Sequence, residues 1–280
     1  RGLGDVYKRQ ILGSIFFVIF TLLVGTSKMA LSQEIVFVGS FMIILFLLFK
    51  LSNELDANAK KMLIGTAIII FVFRAMPGVG QGGSWFEIDV LGFDQEFLSL
   101  LGLIASFLTI LGIFVLRPLM EKSSMTRLIV ILSIAGSFFI LPSIAMFYGF
   151  HEFTSKLTNG LVDARFIAIF NTALESPLGQ VSMIPILAWI AQSAPNHLKA
   201  TFFAVLASFT NLALSASNLG TKYLNQIYVI TREVKNDLGI IKTPADYSEL
   251  GILLIIVCAL TLIIPILVTY IVKKLKLLSY

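Results

Sequence analysis

The sequence predicts an all-α polytopic membrane protein with about eight transmembrane helices, and three observations predict it. Of 280 residues, 57% are hydrophobic and 13% charged, about half the charge of an average soluble domain, and mean hydropathy is +0.92. Apolar runs approaching the roughly 20 residues that cross a bilayer recur along the chain. Lys and Arg gather in alternate short loops between those runs, the pattern that orients membrane helices. The net charge of +5 resides in those loops, and no basic run exceeds two residues, which sets nucleic-acid binding aside. Cys258 is the single cysteine and lies inside an apolar run, so neither an internal disulfide nor a CxxC site is expected. His151 and His197 fall in loops at opposite ends of the helices, which argues against a shared metal centre. No cofactor is expected.

The first ten residues, RGLGDVYKRQ, follow no membrane pattern and no initiator methionine. They read as non-native, and the remainder as the C-terminal part of a longer protein. Two helices are expected near Ile11–Gly25 and Ile35–Lys50, the second without a polar face. The polar break LSNELDANAKK, residues 51–61, reads as a cytoplasmic linker. A third apolar run starts at Met62 and stops at Met76 after fifteen residues, with Arg74 inside it. PGVGQGG follows, then SWFEIDVLGF. This reads as one crossing interrupted by glycines, because irregular backbone at membrane depth survives only where protein or a watery cavity surrounds it. The alternative is a short helix that ends in an external loop. Gly78, Gly80 and Gly83 match GxGxxG, but a dinucleotide site needs a preceding strand and a following acidic residue, and neither is present. These glycines instead mark the hinge of the interruption.

A fourth helix is expected over Glu96–Leu116, where Gly102, Ala105, Ser106, Thr109 and Gly112 offer small residues for close packing. A fifth, Leu128–Tyr148, holds Pro142 as a kink. Asp163 and Arg165, before the sixth, read as a solvated pair or as helix-start charges. Glu87 and Asp89 read as outer-edge groups. The eighth helix, Leu250–Val272, is uniformly apolar scaffold, and residues 273–280 form a cytoplasmic tail. One set of loops, with the tail, holds ten Lys and Arg; the longer opposite set holds about six. The positive-inside rule therefore places the C-terminus in the cytoplasm.

The stretch Asn171–Asn225 carries most of the chemistry. Its first helix holds Asn171, Glu175 and Gln180, broken by Pro177 and Pro185. Its second sets Ser208, Asn211, Ser215, Asn218 and Lys222 at helical spacing along one face. Ionisable groups at membrane depth cost several kcal/mol unless they face a cavity or a partner, so the pair reads as a transport pathway. At about 1.5 Å per residue, Glu175 lies roughly 24 Å from the inner end of its segment, between Arg74 at roughly 18 Å and Lys222 at roughly 32 Å. Glu175 is then either a proton carrier or half of a static ion pair. In the same scheme Arg74 or Lys222 meets an anionic solute. The asparagines and serines either line the path or bond helix to helix, and the prolines either hinge the helix or merely shape it.

ALESPLGQVSMIPILAWIAQSAP, KATFFAVLASFTNLALSASNLGTKYLN and LGFDQEFLSLLG resemble the folate–biopterin transporter family of the major facilitator superfamily. The resemblance runs from about Met62 to the C-terminus. It implies a twelve-helix fold in which residues 11–50 are the last two helices of the N-terminal half and residues 62–272 the six-helix C-terminal half. It implies secondary active, alternating-access transport in an inner or plasma membrane, as proton-coupled symport of folate- or pterin-like anionic solutes. The superfamily's basic loop motif would fall at GIFVLRPLMEK, Gly112–Lys122, which lacks the expected aspartate. Two other classes stay open beside a transporter. A membrane enzyme would need clustered catalytic groups near one interface, which scattered His and a lone Cys do not supply. A non-transporting scaffold or pigment-assembly protein would use Glu175 and Lys222 only to hold helices together.

Overall fold

The computed structural model describes residues 15–27, 29, 31–53, 55–179, 181, 183–193, 199–236 and 238–277, without the side chains of 189–193. The expectations for residues 1–10, Gln180 and His197 lie outside the described residues.

Helices account for nearly all of it. After α1 (Ile15–Gly25) and α2 (Ser32–Ser52) come α3 (Ala57–Arg74), α4 (Gln81–Asp89), α5 (Gln95–Val115), the single turn and a half of α6 (Arg117–Lys122) and α7 (Met125–Phe147). Then follow α8 (Phe150–Leu157), α9 (Ala164–Glu175), a 3-10 turn (Ser176–Leu178), α10 (Met183–Ser193), α11 (Lys199–Ile227) and α12 (Leu250–Lys274). Among the described residues, five helices (α2, α5, α7, α11 and α12) are long and apolar enough to cross a membrane unaided. The other expected crossings are composite or short: α1 has eleven residues, α3 and α4 flank the glycine break, and α9 and α10 flank the proline turn. The chain is a multi-pass, all-α membrane protein.

Starts and stops follow local chemistry. Asp56, Asp94, Ser124 and Asp163 each cap a helix by accepting a bond from a first-turn N–H, satisfying donors that have no partner within the helix. Asp163 is thus a helix-start charge, and Arg165 pairs across to Asp94 at 2.7 Å instead of with it. Pro142 and Pro265 lie inside α7 and α12 without ending them. The loop after α11 is more ordered than a polar linker: β1 (Val234–Lys235) and β2 (Ile241–Thr243) form an antiparallel hairpin.

The helices pack as a bundle with α7 lying along α12. There Ser137 and Cys258 bond each other's backbone, Oγ to Cys258 O at 3.3 Å and Sγ to Ser137 O at 3.4 Å. Cys258 is a structural thiol. One apolar core joins α3, α11 and α12 through Ile69, Ile70, Phe202, Leu206 and Val272. Another joins α4 to α12 through Phe86, Leu250 and Leu253. The outer faces are apolar as well: on α5, Leu103, Phe107, Ile110, Phe114 and Val115 stand exposed. In a membrane protein such a surface faces lipid.

The small residues of α5 divide. Gly112 sits directly against the Pro177 backbone, where a Cβ would collide, and Thr109 Oγ1 donates to Ser176 O at 2.9 Å. Gly102 has nothing within 4 Å, so the expectation of close packing there is not met. The degenerate loop motif forms α6, where Arg117 pairs with Glu121 at 2.7 Å.

Candidate functional site

The glycine-rich break between α3 and α4 is the best-defined part of the site. Helix α3 ends at Arg74, and residues 76–80 have no helical bonds before α4 begins at Gln81. The freed backbone groups would cost several kcal/mol each in hydrocarbon, and α11 satisfies three of them. Ser217 Oγ donates to Met76 O at 2.6 Å, Gly78 N–H donates to Thr221 Oγ1 at 2.8 Å, and Asn225 Nδ2 donates to Val79 O at 3.1 Å. Ser217, Thr221 and Asn225 are spaced i, i+4 and i+8, one vertical row on α11.

The glycines serve this clamp in different ways. Gly80 adopts φ +79°, and a Cβ there would lie 2.8 Å from Asn225 Nδ2. Both the left-handed backbone and the close approach require glycine. Gly78 has only Thr221 nearby, 3.9 Å from a Cβ, and Gly83 meets only Val79. Of the three expected hinge glycines, Gly80 is the one whose surroundings exclude a side chain.

At the second break, α9 ends at Glu175, and Pro177 sits in the 3-10 turn that follows. Pro185 lies within the first turn of α10 and is buried, a position proline tolerates in a helix. Beside this break is a cavity of about 300 Å³, lined by Asn171, Thr172 and Glu175 of α9, Glu87 of α4, Ser143 and Phe139 of α7 and apolar neighbours. Asn171 Nδ2 also donates to Phe139 O at 3.2 Å. Glu175 has no ion-pair partner among the described residues. The cavity therefore contains two carboxylates, and Glu87, read from sequence as an outer-edge group, joins Glu175 there.

The expected polar stripe of α11 faces elsewhere. Ser208, Asn211, Ser215 and Asn218 are exposed, about 100° round the helix from the clamping row. Ser215 and Asn218, with Thr21, Gln33 and Ser40, line a second cavity of about 280 Å³ between α11 and the helices α1 and α2. Asn211 lines neither cavity. Lys222 pairs at 2.7 Å with Glu34 of α2, which also accepts from the Tyr223 hydroxyl at 2.8 Å. The sequence reading missed Glu34, because nothing local links residues so far apart.

Arg74 stands at the end of α3, immediately before the break. Its Nη1 lies 3.1 Å from the Met183 sulfur, a weak acceptor, and its buried Nε has no hydrogen-bond partner among the described residues. The expectation of one carboxylate poised between two cations gives way to three separate positions. Glu175 lines a cavity together with Glu87, Lys222 is held by Glu34, and Arg74 is under-satisfied.

A family model described as the BT1 family matches residues 47–279. The chain belongs to the BT1 family. It is also similar to a protein named folate-biopterin transporter from Synechocystis sp., with 21% identity over 158 residues, or 56% of this chain and 31% of that relative. The chain thus spans under a third of the length of the curated relative it matches. No solved structure matches it. The BT1 match takes in the glycine break, its α11 clamp, Arg74 and the Glu87–Glu175 cavity, but begins after Glu34.

Proposed function

We propose that this BT1 chain forms part of a secondary active transporter that works by alternating access and couples proton entry to uptake of folate- or pterin-like anions. The single observation that carries the proposal is the break between α3 and α4 at residues 76–80, held to α11 by side-chain bonds and bordered by the under-satisfied guanidinium of Arg74. A structural scaffold has no use for such an opening, since an unbroken helix satisfies the same backbone at less cost. Transporters build solute sites from broken helices of this kind. The name of the Synechocystis relative supplies the solute class.

In this reading residues 62–272 are the six-helix C-terminal half and residues 11–50 the last two helices of the half before it. The C-terminus is cytoplasmic. Arg74 meets the anionic group of the solute, because a guanidinium without a carboxylate partner gains most from one. Glu175 carries the proton, reached through the cavity that it lines together with Glu87.

Glu175→Gln tests the assignment in vesicles containing the protein. The expected result is loss of pH-driven solute accumulation with exchange of internal for external solute retained. Accumulation equal to wild type would remove the proton role from Glu175.

A further inference from the structure

The connection between α7 and α9 is a short helix that the described residues cover on one flank only. Helix α8, FHEFTSKL, runs from Phe150 to Leu157. At about 100° per residue, Phe150, Phe153 and Leu157 fall within roughly 60° of one another on one face. They are 50%, 62% and 73% exposed. Glu152 and Lys156 are also exposed, roughly 100° further round. The flank opposite those exposed faces holds His151, Thr154 and Ser155, which are half-buried. Thr154 Oγ1 closes that side by donating to Val162 O at 2.7 Å.

The helix thus has three sectors: an inner flank against the bundle, an apolar face and a charged face. The inner flank fixes which way the other two point. With that flank turned inward, the apolar and charged sectors lie on either side of it, each roughly 120° round the helix. The neighbours are apolar and exposed too: Tyr148 and Leu161 at either end of α8 are 63% and 77% exposed, and Phe138 and Leu141 of α7 and Phe166 and Phe170 of α9 also stand exposed. Gly149 at φ +81° and Gly160 at φ +88° interrupt the helical path at both ends of the segment, so α8 is a separate helix and not a prolongation of α7.

We infer that α8 is an interfacial anchor, its Phe150–Phe153–Leu157 face seated in the bilayer at the boundary of headgroups and acyl chains. A helix of this kind buries its apolar face about 5–10 Å deep. Because the Glu152 and Lys156 charges cancel, it needs no anionic lipid. The lipid occupant follows from membrane residence, since α8 joins α7 and α9, whose own exposed apolar residues Phe138, Leu141, Phe166 and Phe170 face lipid. The assignment rests on membrane residence alone and stands whatever solute is carried.

The test uses single cysteines at Glu152, Phe153, Lys156 and Leu157 in a Cys258→Ala background, each labelled with an environment-sensitive fluorophore. The protein is reconstituted into neutral phosphatidylcholine vesicles. Labels at Phe153 and Leu157 should emit at shorter wavelength, be quenched by nitroxide on the upper acyl chain, and resist aqueous iodide several-fold better than labels at Glu152 and Lys156. Equal iodide quenching at all four positions would overturn the anchor. Protection at Phe153 and Leu157 that increases with protein-to-lipid ratio, without nitroxide quenching, would overturn it too and assign the face to a second copy of the chain.

Discussion

Asp94 does two jobs with one carboxylate. It caps α5 by accepting the Phe97 N–H at 2.8 Å and binds Arg165 at 2.7 Å. The backbone bond first, and the Arg165 guanidinium second, hold its pKa below the ordinary aspartate value of 3.8. A depressed carboxylate stabilises the fold above its unfolded pKa and loses that contribution as pH falls through the folded value. Thermal unfolding of the detergent-solubilised protein from neutral pH to below 3.8 should therefore decline more steeply for wild type than for Asp94→Asn; parallel curves would show that Asp94 contributes nothing pH-dependent. Tyr247 illustrates the opposite direction at the same end of the bundle. Burial first, and donation to Asp89 second, push its phenol up to about 12, so it remains a donor to Asp89 at any physiological pH. At residue scale the sequence marked polar groups well and their partners poorly. Asp163 was legible as a helix-start charge because a cap bonds locally. Lys222–Glu34 and Glu87–Glu175 were not, because long-range pairs leave no spacing in one chain.

Helix α11 and the break it holds form the element on which the account turns. Both breaks were readable, since glycine and proline declare their backbone consequences directly. The clamping row was not. Ser and Thr satisfy their hydroxyls on their own helix carbonyls as readily as on a neighbour, so Ser217 and Thr221 gave no sign of a tertiary role. The exposed row of Ser208, Asn211, Ser215 and Asn218 drew the eye instead. Two substitutions separate clamp from loop. Asn225→Ala removes the bond to Val79 O at 3.1 Å and should lower stability by about 1 kcal/mol, the usual scale for a polar contact within a membrane. Gly80→Leu places a side chain where a Cβ already lies 2.8 Å from Asn225, at φ +79°. It should abolish uptake while the protein still inserts into the membrane. Normal uptake by Gly80→Leu would mean that residues 76–80 form an external loop.

The chain alternates ends: Arg165–Asp94 and Arg232–Asp89 bring the start of α9 and the hairpin loop to the start of α5, and α6 follows the far end of that 21-residue helix. The all-α membrane class was legible from hydropathy alone, because apolar runs approaching roughly 20 residues fit the length of a spanning helix and exceed that of a barrel strand. The number of crossings was harder to read, since two expected spans are each built from two helices and only five helices qualify unaided among the described residues. Cysteines at Ser123, beside α6, and Ser155, on α8, should react with membrane-impermeant reagents from opposite sides, Ser123 from the cytoplasm; same-side labelling would break the alternation.

We propose that this BT1 chain forms part of a carrier that moves a folate- or pterin-like anion using a proton gradient. The most direct test is accumulation of labelled folate and biopterin in vesicles containing the purified protein, with the outside acidified. Uptake should exceed equilibrium, collapse when a protonophore dissipates the gradient, and be absent in protein-free vesicles. Equal solute levels with and without the gradient, or no uptake above the protein-free control, would contradict it.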